Sequence, residues 1–161
     1  MASGLVGALL LVLVGVGCGS KPSASGGAKG AAQVDASPGA ICLEDAAAPR
    51  EIPEGAPENI EVAHILVRHA DLERPEGATR SREAACLRAL EALEMLEQGA
   101  EWEKVVAEYS DAPGATEGNL GTVSRDQLAP EFANAAFSLD VNQLSYVVET
   151  DRGFHVILRL E

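Results

Sequence analysis

Two of the three histidines stand inside apolar, β-branched runs. His64 lies in residues 60–68 (IEVAHILVR) and His155 in residues 154–160 (FHVILRL). A neutral imidazole carries one donor and one acceptor, so two rings brought together can bond to and orient each other. A lone histidine on a strand is more often a core residue with its hydrogen bonds met. Thr150 adds a hydroxyl five residues before His155, and Asp111 adds a carboxylate in a loop. Cys18, Cys42 and Cys86 form no Cys-x-x-Cys pair, and no His-Glu-x-x-His helix occurs. No metal or cofactor is therefore expected.

The elements that must position these groups follow from periodicity. Residues 60–68 read as a strand. Residues 71–78 (DLERPEGA) contain Pro75 and Gly77 and read as a loop. Thr79 or Ser81 can cap a helix whose stripe is Cys86, Leu87, Leu90, Leu93 and Leu96, ending at Gly99. Trp102, Val105, Val106 and Tyr109 recur at helical spacing. Residues 110–121 (SDAPGATEGNLG) read as a turn-rich loop. Pro130 suits the first turn of a third helix, with Phe132, Ala136 and Phe137 inward. Residues 145–149 and 154–160 read as strands joined by an Asp151-Arg152-Gly153 turn. Helices between a first strand and a closing hairpin indicate an α+β domain with an antiparallel sheet.

The chain has 161 residues and a formal net charge of −13. That balance argues against nucleic-acid binding, because phosphate contacts need clustered Lys and Arg. Residues 4–17 (GLVGALLLVLVGVG) form an apolar run too short to span a bilayer, which takes about 20 residues, and are suited to a signal peptide. The run ends at Cys18 and resembles the lipobox of bacterial lipoproteins, in which the cysteine is lipidated. The alternative is an ordinary secretory signal. Three segments are expected: a signal at 1–17, a Gly/Ala/Ser/Pro-rich disordered tether at 18–58, and a folded domain at 59–161. Cys42 and Cys86 are then left either to pair across tether and domain or to stay as thiols.

Four segments in order resemble the parvulin-type peptidyl-prolyl isomerases. They are Val62 to Val67 (VAHILV), Tyr109-Ser110-Asp111 with Gly118 to Gly121, Gln127 to Phe132 (QLAPEF) followed by Ala135-Ala136-Phe137, and Glu149 to Ile157 (ETDRGFHVI). The resemblance covers residues 60–161. It implies an α+β fold with a four-stranded antiparallel sheet and packed helices. It also implies isomerisation of X-Pro bonds in unfolded or exported polypeptides.

The same resemblance assigns roles. It places His64 and His155 side by side at the substrate, with Thr150 extending their network and Asp111 beside the site or orienting its loop. It puts Leu120, Leu128 and Phe132 at a proline pocket. Arg68 and Arg74 match two of the basic positions by which phospho-directed members hold an anion. Glu73 stands where a third would be, and Asp71 and Glu76 crowd the loop. The position where relatives carry Cys or Asp is Ala112, which leaves open a catalytically weak chaperone or peptide-binding module. Attachment to the cell envelope through Cys18 completes the expectation.

Overall fold

The structure, a computed structural model, describes residues 36–112 and 118–161. The signal segment, Cys18 and the first half of the expected tether lie outside these residues. Four strands form one antiparallel sheet in the order β2-β1-β4-β3. They are β1 (Asn59–Val67), β2 (Asn119–Ser124), β3 (Val148–Thr150) and β4 (Gly153–Arg159). The first and last strands are thus the central pair, in register from Val62 opposite Arg159 to Val67 opposite Phe154.

Alternation along these strands divides the core. Ile65, Val67, Phe154 and Val156 face one layer, built from α1 (Pro38–Ala46), α2 (Arg82–Glu97) and α3 (Trp102–Tyr109). Ile60, Val62, Val148 and Ile157 face the other, where α4 (Pro130–Ser138) supplies Phe132, Ala136 and Phe137. Each central strand is therefore buried on both sides by different helices. His64 and His155 share the parity of the α4 side.

Three expectations need correction. Residues 38–46 are not tether but helix α1, with Cys42 and Ala46 buried. Ser37 caps it, its Oγ accepting from the Ala40 N–H at 3.2 Å, and Pro38 stands in its first turn. A nine-residue helix is too short to be stable alone. The Cys42–Cys86 disulfide fastens it to α2. A Cβ at Gly39 would meet the exposed Glu83 side chain, which would have to move aside.

The second correction concerns α2. Its buried face is Ala85, Cys86, Ala89, Ala92 and Leu93, whereas Leu87 is exposed and Leu90 and Leu96 are half-buried. Small side chains face inward where α2 packs against α1, α3 and the central strands. The helix itself starts as expected, with Ser81 Oγ accepting from the Ala84 N–H at 3.1 Å.

The third is strand β2, whose first half, 119–121, the sequence places in a turn-rich loop and whose second half, 122–124, it leaves without an element. Asn119–Ser124 pairs with β1 through a register shift between Val62 and Ala63. The 145–149 strand contracts to Val148–Thr150, with Leu144 bridging Leu158.

Candidate active site

The β1–β4 register places Ile157 opposite His64 and Leu66 opposite His155. The two imidazoles are therefore diagonal neighbours on one face of the sheet, within reach for aromatic rings. They stack with centroids 5.3 Å apart and planes 16° from parallel. Their Nδ1 atoms are 3.1 Å apart, so one carries a proton that the other accepts. His155 Nε2 lies 2.9 Å from Thr150 Oγ1, and that oxygen also accepts the Arg152 N–H at 3.1 Å. The turn between β3 and β4 thus anchors the network. Gly153 stands in that turn with φ +130°, and a Cβ there would meet the Val67 carbonyl oxygen at 2.5 Å.

Electrostatics keep both rings uncharged at neutral pH. Burial lowers the pKa of His64 to about 4, and the positive charge of Arg152 adds to the effect. Burial also holds His155 well below the usual histidine range, with His64, Arg152 and Arg68 contributing in the same direction. Desolvation disfavours the imidazolium, and among the described residues no carboxylate offsets it at either ring.

Above the pair lies a cleft of about 660 Å³. Phe132 forms its inner wall, edge-on to both rings, with centroids 5.7 Å from His64 and 5.1 Å from His155. Pro130 opens α4 and so sets Phe132 on its first turn, with the ring against the two imidazoles. Leu128 and Leu120 line the same cleft, Leu120 being 41% exposed at its mouth. The short 3-10 turn Arg125–Gln127 delivers Leu128, and Gln127 Oε1 accepts the Ser124 N–H at 2.8 Å to close a capping box. The cleft lining also contains Val123, Gln127 and Ala129, which the sequence reading did not single out. Strand alternation from Gly121 onward would have pointed Val123 inward.

The remaining expected site residues separate. Arg68 lines the cleft, buried, and its guanidinium is paired with Glu76. Arg74 is exposed in the loop and is not among the lining residues. Asp111 is not among them either; its neighbour Ala112 is. The Asp111 carboxylate accepts the Arg68 N–H at 2.8 Å and pairs with Arg80. Its own N–H donates to the Leu66 carbonyl at 2.6 Å. Asp111 therefore ties the loop after α3 to the end of β1, which is a positioning task. Ser110 Oγ helps by accepting the Leu66 N–H at 3.2 Å.

Residues 64–161 match the family model of the rotamase, PPIC-type PPIase domain. The chain belongs to the PPIC-type peptidyl-prolyl isomerases. It is 34% identical over 116 residues to peptidyl-prolyl cis-trans isomerase Pin1 of Malus domestica, an alignment spanning 65% of this chain and 95% of that protein. It is 40% identical over 106 residues to the chaperone SurA of Aromatoleum aromaticum, spanning 65% of this chain and 23% of that much longer protein. Among solved structures, the PPIase domain of TbPar42 superposes with a TM-score of 0.58 at 32% identity, covering 63% of this chain and 99% of that one. The PPIC-type fold, with its four-stranded antiparallel sheet, is the architecture described above, and the enzyme class is isomerase.

Proposed function

We propose that this PPIC-type domain catalyses cis–trans isomerisation of X-Pro bonds in polypeptides outside the cytoplasm, without forming any covalent intermediate. The observation that carries the reading is the neutral His64–His155 pair flooring a cleft walled by Phe132.

The barrier to amide rotation is about 18–20 kcal/mol. A thousandfold acceleration asks for about 4 kcal/mol of preferential binding of the twisted form. Resonance makes the planar amide charge-separated, and twisting diminishes that separation. A cleft with an uncharged imidazole floor and an apolar wall at Leu120, Leu128 and Phe132 gives up solvation of the planar forms more than of the twisted one. Leu120, Leu128 and Phe132 hold the proline ring and exclude water. The imidazoles of His64 and His155, fixed through Thr150, present oriented donors and acceptors with no reorganisation needed. Asp111 acts through the loop it holds, and Arg68 is the basic group at the substrate segment before proline.

Two features support an exported setting. The apolar run 4–17 leads to Cys18, read as a lipid attachment point at the membrane. The Cys42–Cys86 disulfide suits an oxidising compartment. Proline-containing exported chains are then the partners.

The test is NMR exchange on X-Pro peptides with the disulfide-bonded domain, residues 36–161. Acceleration well above the uncatalysed rate, lost on His64→Ala, is the expected result. Peptide binding without acceleration would give the site instead to a peptide-binding chaperone, a reading favoured by Ala112 in the lining.

A further inference from the structure

We propose that Glu76 sets the substrate preference of the cleft, by occupying Arg68 and turning away chains with an acidic residue before proline. This rests on the X-Pro reading above and concerns which X is accepted.

Glu76 and Gly77 are the central residues of a turn closed by the Ala78 N–H donating to the Pro75 carbonyl at 2.9 Å. Both have positive φ, +48° and +88°. Such turns favour Asn, Asp or Gly at both central positions. A glutamate in the left-handed region, where only one other non-glycine residue is described, is a backbone outlier that calls for a reason. Its side chain supplies one. It reaches into the cleft and pairs with the Arg68 guanidinium.

The two partners differ in freedom. Arg68 is held from both sides of its peptide group: its N–H donates to Asp111 at 2.8 Å, and its carbonyl accepts from Arg80 at 2.9 Å. Its side chain is 11% exposed, so its charge needs a partner. The Glu76 side chain is 53% exposed, on a loop, and can swing away. An acidic side chain entering beside the proline therefore meets a cation already neutralised from within the chain. Arg152 and Asp151 also line the cleft and leave its four charged groups balanced. Chains with a neutral residue before proline need no such exchange.

The experiment compares Glu-Pro and Leu-Pro peptides, by exchange rate and by binding titration in NMR, on the native domain, Glu76→Gln, Arg68→Gln and the double variant. Glu76→Gln keeps the backbone strain and the shape and removes only the charge. The Glu-Pro to Leu-Pro ratio is expected to rise about fivefold, the upper range for a partly exposed ion pair. Adding Arg68→Gln is expected to cancel the rise. An unchanged ratio in Glu76→Gln overturns the proposal. So does a rise that persists without Arg68, which would assign the anion seat to Arg152. Should no peptide be accelerated, the isomerase reading fails by itself, and the ratio of binding affinities still decides the role of Glu76.

Discussion

His64 and His155 are 91 residues apart in the chain, yet their Nδ1 atoms approach to 3.1 Å. The contact exists because β1 and β4 are hydrogen-bonded neighbours with the two rings on the same diagonal. Each ring is desolvated, and each depends on the other remaining neutral.

Acid should therefore damage fold and activity together. The folded pKa of His64, about 4, lies below its ordinary 6.5. Between those values the unfolded chain binds a proton that the folded one does not. Stability thus rises with pH through that window and is constant above it. Falling from pH 7 to pH 4 should remove about 3 kcal/mol through His64 alone, with His155 adding in the same direction. Urea melts across pH 4–8 test this; a flat profile would contradict the burial of both rings.

Leu120 separates binding from stability. It is 41% exposed and lines the cleft. Leu120→Ala should change stability by no more than about 0.5 kcal/mol. It should also raise KM several-fold for X-Pro peptides. Phe132→Ala should instead cost about 3–5 kcal/mol, because the ring is also buried core. Paired thermal melts and exchange kinetics distinguish the two.

Reduction should loosen α1. The Cys42–Cys86 link spans 44 residues, and closing such a loop is worth about 4 kcal/mol in the chain-entropy picture. The double variant Cys42→Ser, Cys86→Ser should melt well below the oxidised domain and exchange the α1 amides rapidly. Hydrogen exchange that leaves α1 protected would show that packing alone holds it.

Gly118 should tolerate no side chain. Its φ is +67°, and a Cβ would lie 2.2 Å from the His64 carbonyl oxygen. Its own carbonyl accepts the His64 N–H at 2.8 Å. Gly118→Ala should cost more than about 1 kcal/mol and shift the His64 resonances. A variant as stable as the native domain would refute this.

The central strands and their histidines were legible because alternation and buried β-branched residues are local signals. Helix α1 was not. Its residues PGAICLEDA are too few for a helix stable alone and follow a Gly/Ala/Ser/Pro-rich stretch, and the Cys42–Cys86 link that fastens it stands in the sequence only as one of two alternatives. The leucine stripe of α2 is not its buried face, since the helix is covered by α1, α3 and the sheet together, and small residues meet them. Strand β2, NLGTVS, is glycine-containing and half-polar, and it becomes a strand only by pairing with β1. The Arg68–Glu76 pair depends on a left-handed turn residue, which a glutamate does not announce.

Building the centre of the sheet from its first and last strands has a consequence for biosynthesis. A chain emerging N-terminus first carries β1 long before β4 exists to pair with it, so the His64–His155 contact forms only after the other three strands and the helices between them have been made. The protein contains eight prolines. A slow prolyl bond among them can delay the pairing of β1 with β4, and the cleft over the two histidines cannot assist in that step because it does not yet exist.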